Sequence, residues 1–325
     1  MKKIMKKILA GLMALVVFLP SLAHASQNWS WEKTTYIYGV ALSQDQIQSV
    51  ANTLGLDLNE VNSASVNGQD LEKYIGYATQ DSNMISSVSV KKLDDGSGIK
   101  INILTPEKIQ SVTAGQYTNA AITAGINDAE INIASPVEVT GESALAGVYK
   151  AVELNGASVD TERTKVAQDE IATLKEVSED NQSDDKFDKD KLDQVVIDVK
   201  QDLADYKKNN DGQVADKEQI QAYIQDALNN VNMGDVLSNN NIQILVNYFE
   251  KYQNTSAIDS KEVEENLKKL AGQIKDGASK IYDDNKEQID QMAEDAKESG
   301  LWDQIVDFFK SIFSSIASMF SSSDQ

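Results

Sequence analysis

The chain has 325 residues, a net charge of −21, a single histidine and no cysteine. Without cysteine there is no disulfide framework, no thiol nucleophile and no lipid-anchored N-terminal Cys. With His24 the only histidine, a Ser-His-Asp triad and the usual Cys/His zinc sites are excluded once the leader is removed, and an excess of 51 acidic over 30 basic residues repels nucleic acid.

Residues 1–25 read as an export signal. Lys2, Lys3, Lys6 and Lys7 precede an uncharged apolar run from Ile8 to Leu19, and Ala23-His24-Ala25 is a small-x-small cleavage site. The run is shorter than the roughly 20 apolar residues that a membrane span needs. Cleavage near Ala25 takes four lysines and His24 away, so the charge of the remaining chain becomes −25. The expected location is secreted or at the extracytoplasmic cell envelope. The short lysine-rich signal and the lack of cysteine suggest a Gram-positive bacterium.

Residues 26–158 alternate strand and helix signals. Thr35–Val40 is β-prone, and Ser43 with Gln46 forms a capping box for a helix carrying Ile47, Val50, Ala51 and Leu54, stopped by Gly55. Val61–Val66 is the next strand, and Asn67 caps a helix to about Tyr77. Ile85–Leu93 and Ile99–Ile103 alternate on either side of Asp94-Asp95-Gly96-Ser97-Gly98, which predicts a β-hairpin. Thr105 and Pro106 predict a helix start, with Gly125 closing that helix. Ile131 and Ile133 mark a strand. Thr140 or Ser143 opens a last helix, ended by Asn155-Gly156. The order β-α-β-α-β-β-α-β-α predicts an α+β or α/β domain.

Residues 159–300 carry helical spacing and no strand signal, which predicts an acidic all-α bundle. Leu192, Val195, Val196, Val199, Leu203 and Tyr206 form one stripe. Ile220, Tyr223, Ile224 and Leu228 form a second, Ile242, Leu245, Val246 and Phe249 a third, and Val263, Leu267, Leu270 and Ile274 begin a fourth. Glu176–Asp190 is polar and acidic, as a linker or exposed helix end would be.

Several segments of the first half resemble a known family. They are Tyr117-Thr118-Asn119-Ala120-Ala121-Ile122-Thr123-Ala124-Gly125-Ile126-Asn127-Asp128-Ala129-Glu130, then Ile133-Ala134-Ser135-Pro136-Val137-Glu138-Val139-Thr140-Gly141, and Ala144-Leu145-Ala146-Gly147-Val148-Tyr149-Lys150-Ala151. Glu72-Lys73-Tyr74-Ile75-Gly76 and the Gly96-Ser97-Gly98 turn fit as well. Together they are similar to the bacterial secreted "domain of unknown function 1002" group, the YpuA-like proteins. Ser135 and Val137 depart from the pattern, which has a small apolar and an aromatic residue there. The resemblance implies an extracellular or envelope-associated protein and supplies no catalytic residues.

Candidate chemistry is sparse. Thr140-Gly141-Glu142-Ser143 fits an anion-binding helix start, but a hydroxyl cap explains it more simply. Gly141-x-Ser143 lacks both the second glycine of a nucleophile elbow and a base histidine. Ser89 and Lys92 face opposite sides of a strand, which argues against a dyad. Asp94 and Asp95 suit turn chemistry. Two 12-residue windows, from Lys207 and from Lys251, have partial calcium-loop spacing; the first includes Asp211 and Glu218 as weak metal candidates. Both put lysine where the first carboxylate ligand belongs. Asp184, Asp185, Asp188, Asp190 and Asp193 read as a solvated charge run. No cofactor is implied.

Residues 301–325 are the sharpest amphipathic signal. Trp302, Ile305, Phe308, Phe309, Ile312, Phe313, Ile316 and Phe320 share a helical face with serines and aspartates opposite. This face is the expected interaction surface toward a membrane, the cell wall or a protein partner, or toward the bundle itself. The leading expectation is a non-enzymatic exported binding or scaffold protein. The alternatives are a carboxylate-dependent hydrolase of wall polymer and a calcium-responsive surface protein. The sequence sets no oligomeric state.

Overall fold

The computed structural model describes residues 31–274 apart from 110, 142 and 143. The expected export signal and the amphipathic segment 301–320 lie outside the described residues. The first half runs β1 (Thr35–Gly39), α1 (Gln44–Thr53), β2 (Asn62–Val66), α2 (Gly68–Ile75), β3 (Ser87–Lys92), β4 (Ile99–Ile103), α3 (Ala114–Ala124), β5 (Ala129–Ala134) and α4 (Ala144–Leu154). The second half is helical: α5 (Thr161–Asn181), α6 (Lys189–Asn209), α7 (Lys217–Asn230), α8 (Asn239–Tyr252) and α9 over 261–274. The predicted class and element order are both observed.

The five strands form one sheet in the order β2-β1-β3-β5-β4. β1 pairs parallel with β2 and β4 parallel with β5, while β3 runs antiparallel to both β1 and β5. Four strands therefore share one direction and end at one edge. Strand alternation sorts the faces. Ile37, Val88, Val90, Ile99, Ile101, Ile131 and Ile133 point to the inner face and are buried. α4 packs over β1 and β3, and α3 over β4. On the outer face α1 covers Tyr36 with Ile47, Val50, Ala51 and Leu54, and the Tyr36 hydroxyl donates to Ile47 O at 3.1 Å.

The inner core does not stop at residue 158. Val166, Ile171, Leu174 and Val177 of α5, Val195, Val196 and Val199 of α6, and Val263 and Leu267 of α9 belong to the same cluster as the sheet isoleucines. α5 lies against α3, α2 and α8, so it joins the α/β layer to the bundle.

Two expectations need correction and a third is narrowed. The β3–turn–β4 hairpin does not form, because β5 is inserted between its arms. Asp128, at φ 44°, starts that insertion: its backbone oxygen accepts from Leu93 N and its Oδ1 from Gly98 N, both at 2.7 Å. The helix expected from Thr105 begins instead at Thr113, which makes a capping box with Gln116, while Thr105–Lys108 is only a turn. Glu176–Asn181 is the end of α5, with Glu176, Glu179 and Asp180 exposed as a helix end would be and Val177, Ser178 and Asn181 buried, so the linker is confined to 182–188.

Candidate functional site

The edge where the four parallel strands end is built from two fused loops. Leu104 N donates to Ile133 O at 2.8 Å, and Ser135 N to Thr105 Oγ1 at 3.0 Å. Ile109 and Val139 form a parallel bridge, supported by Val139 N donating to Lys108 O at 2.9 Å. The Tyr117 hydroxyl anchors the second loop by donating to Gly141 O at 2.5 Å. Thr105 thus serves as a loop staple in place of the helix cap its sequence suggested. Between the loops lies an open depression of about 350 Å³ lined by Lys108, Ser111, Glu138, Val139 and Thr140.

This rim is also apolar. Among the described residues five large hydrophobic side chains are exposed; Val40 and Leu104 directly follow β1 and β4, and Val137 lies in the loop after β5. The chain leaves β1 for α1 on the outer face and leaves β4 for α3 on the inner face.

Beneath the rim, α3 is held by charged groups of the helical half. The chain's only arginine, Arg163 of α5, donates from Nε to Thr123 O at 2.7 Å and from Nη2 to Ile122 O at 3.2 Å. A guanidinium there satisfies last-turn carbonyls and complements the helix dipole. Gly125, at φ 86°, leaves room: a Cβ would sit 3.0 Å from Arg163 Cζ. Midway, Lys200 of α6 pairs with Glu170 of α5 at 2.7 Å, with both side chains fully buried. Lys200 also donates to Thr123 Oγ1 at 2.8 Å, and Thr123 and Tyr248 hydroxyls donate to Glu170 Oε2 at 2.8 and 2.7 Å. Burial pulls the Lys200 ammonium below its ordinary pKa, against the opposing pull of Glu170. Burial likewise pushes the Tyr248 hydroxyl well above its usual range, so it stays a donor. At the other end of α3, Thr113 Oγ1 donates to Asp193 Oδ2 of α6 at 2.8 Å.

The residues singled out from sequence fall elsewhere. Asp211, at φ 53°, follows the C-cap of α6, where Gly212 N donates to Lys207 O at 2.9 Å in a Schellman arrangement. Glu218 lies in the first turn of α7, where an acid suits the helix dipole. Lys207 pairs with Asp259 at 2.7 Å and Lys251 with Asp169 at 2.7 Å. Among the described residues no group of three or more acidic, His or Cys side chains is placed to hold a metal. Ser89 is buried, and Lys92 turns to the opposite face of β3 toward Asp128 at 3.8 Å. Asp94 O closes the turn by accepting from Ser97 N at 3.1 Å. Asp188 caps α6, but Asp193 of the same acidic run is buried. Glu142 and Ser143 lie outside the described residues, as do Trp302, Ile305, Phe308, Phe309, Ile312, Phe313, Ile316 and Phe320.

Sequence reasoning missed α5, Arg163 and the buried Glu170, Asp193 and Lys200. A signal existed in part: Asp193, Ile197, Lys200 and Ala204 repeat at helical spacing beside the Leu192 stripe.

No solved structure matches the chain. It is 29% identical over 325 residues to "Uncharacterized protein YpuA" of Bacillus subtilis (strain 168), an alignment covering 97% of this chain and 100% of that protein. The model of the family described as "Protein of unknown function (DUF1002)" matches residues 38–270, a span from β1 into α9 that includes the rim and the clamp on α3. The chain belongs to that family.

Proposed function

We propose that this is an exported protein of the cell envelope that binds a partner through the carboxyl rim of its sheet. The single observation that supports this most is an open depression at the carboxyl ends of parallel strands, between two loops that also expose Leu104 and Val137. Exposed apolar side chains that cluster mark interaction surfaces more than scattered ones do. The buried clamp beneath keeps α3 and the rim loops in place, as a binding surface requires. The export pattern of residues 1–25 supports the envelope as the place of action. The amphipathic face of 301–320 supports a second contact, with membrane, wall or protein.

Crosslinking in intact cells tests both contacts. Leu104→Ser with Val137→Ser is expected to remove the rim-dependent crosslinks while leaving the melting temperature within a few degrees, as surface changes usually do. Identical crosslinks from the wild type and this variant would refute the rim as the binding surface. A chain ending at residue 300 is expected to leave the envelope fraction for the medium. If it fractionates like the full chain, the tail contact is wrong.

A further inference from the structure

β4 is an edge of the sheet, and among the described residues β5 is its one strand neighbour. Ala129 N donates to Gly98 O at 3.1 Å and Leu104 N to Ile133 O at 2.8 Å, which fixes the parity of the ladder. Lys100 and Asn102 turn their backbone groups to β5, so Ile99, Ile101 and Ile103 turn theirs outward. Among the described residues no hydrogen bond engages these outward N–H and C=O groups.

Proteins blunt such edges with lysine, proline, a bulge or a covering segment. β4 has one lysine, already paired with Glu130, and no proline; it runs one-to-one with β5 from Ile99 to Ile103 without a bulge. Ile99-Lys100-Ile101-Asn102-Ile103 is rich in β-branched residues, whereas β2 at the opposite edge reads Asn62-Ser63-Ala64-Ser65-Val66. α3 packs on the inner face of β4, where Ile99 and Ile101 are buried and Ile103 is partly covered. The outer face carries Lys100, with its side chain 63% exposed, and the half-buried Asn102.

Rows across the outer face specify what a neighbouring strand would carry. Lys91, Glu130 and Lys100 lie opposite one another on β3, β5 and β4, an alternation of charge that ends on a cation. Lys100 Nζ meets Glu130 at 3.1 Å, and an acid on the next strand would extend the alternation. In the adjacent row Asn102 Nδ2 donates to Asn132 Oδ1 at 2.7 Å, which leaves Asn102 Oδ1 to accept from a neighbour. Opposite charges and hydrogen-bonding pairs across strands stabilise a sheet, and like charges oppose it.

We propose that β4 accepts an extended peptide segment of a partner protein as a further strand. The segment alternates: apolar side chains lie beside the isoleucines, an acid beside Lys100, and a hydroxyl or amide beside Asn102. Main-chain hydrogen bonds to Ile99, Ile101 and Ile103 supply affinity, and the two outer rows supply selection. A second copy of β4 is a poorer occupant. Paired antiparallel about Ile101 it sets Lys100 against Asn102 and offers no acid, and two chains this acidic repel each other. No residue of β4 lines the depression between the loops, so this surface does not rest on the rim reading.

The probe is an acetylated and amidated heptapeptide, alternating valine with threonine and carrying glutamate at its centre. It is added to the chain from Ser26 to Gln325, and amide hydrogen exchange is followed by NMR. In the free chain the amides of Ile99, Ile101 and Ile103 are expected to exchange faster than those of Lys100 and Asn102. At free peptide ten times its dissociation constant, protection of the three isoleucine amides is expected to rise about tenfold. The rise is expected to be smaller at Lys100 and Asn102, which β5 already engages. Lys100→Glu, at an exposed position, is expected to lose this peptide and to bind one with lysine at its centre instead. The proposal is overturned by an absence of protection, by slow exchange of the outward amides in the free chain, or by a Lys100→Glu variant that still prefers the glutamate peptide. Protection of the same amides that grows with protein concentration alone would assign the edge to a second copy and overturn it too. The rim reading stands or falls separately, with the Leu104 and Val137 crosslinks.

Discussion

At the residue scale the molecule places charge where its pattern would put solvent. Lys200 and Asp193 each sit one position from an apolar stripe residue of α6, so a helical wheel gives them the margin. α3 and α5 pack on that margin and bury it. The Glu170–Lys200 pair is then costly to break from one side, because a buried charge loses its partner. Glu170→Gln and Lys200→Met are each expected to lower the unfolding free energy by about 3–5 kcal/mol. The double variant is expected to lose clearly less than their sum, since the residues share one network. Urea unfolding of the four proteins checks this, and additive losses would mean that the pair is not coupled. Arg163 was visible in the sequence as a lone arginine, yet its work on Ile122 and Thr123 was not, because carbonyl capping across elements leaves no local pattern.

At the element scale, caps were legible where one signal stood alone. Ser43 with Gln46, and Asn67, cap α1 and α2 as expected. Near α3 two signals competed. Thr105-Pro106 looks like a helix start, but Thr113 with Gln116 wins because Ser135 N and Lys108 N engage Thr105. The face of α6 toward α7 gives a pH prediction. Burial, reinforced by Asp202, raises Asp198 to about 6; burial, reinforced by Asp205 and Asp226, raises Asp202 to about 6. Both are raised in the folded state, so their stabilisation is full below the unfolded value near 4 and is lost as pH rises through 6. Glu264 acts oppositely: hydrogen bonds from Lys208 and Lys268 lower it to about 2, so its contribution is lost as pH falls below 4.5. Stability is therefore expected to peak near pH 4–5 and to fall by roughly 1–3 kcal/mol toward pH 7. Asp198→Asn with Asp202→Asn is expected to flatten the alkaline side of that peak. Chemical denaturation across pH 4–7 measures it, and a rise in stability over that range would contradict the assignment.

At the scale of the whole molecule, one core serves both halves. α5 and α6 cover the apolar surfaces of α2 and α3, which the sheet alone leaves open. Residues 26–158 expressed alone are expected to lose the cooperative melting transition, while a chain ending at residue 300 is expected to keep it. Calorimetry of both decides, and a sharp transition in the isolated first half would show that it folds by itself. Compositional change at about residue 160 marks where strands end; it carries no information about whether packing also ends there.

Local physics made much of this protein readable from sequence. Periodicities of 2 and 3.6 set the element order, because burial of one face is a local demand. The family segments, from Tyr117 to Glu130 and on through Gly141, proved to be α3, the start of β5 and the rim loop. The tertiary structure alone decided the insertion of β5 between β3 and β4, since strand order depends on hydrogen bonds between residues about 30 apart. It alone decided the burial of Glu170, Asp193 and Lys200, because a charged side chain is buried by its neighbours and not by its own spacing. The rim depends on it too: the loops after β4 and β5 are distant in the chain and are bridged at Ile109 and Val139 only because those two strands run the same way.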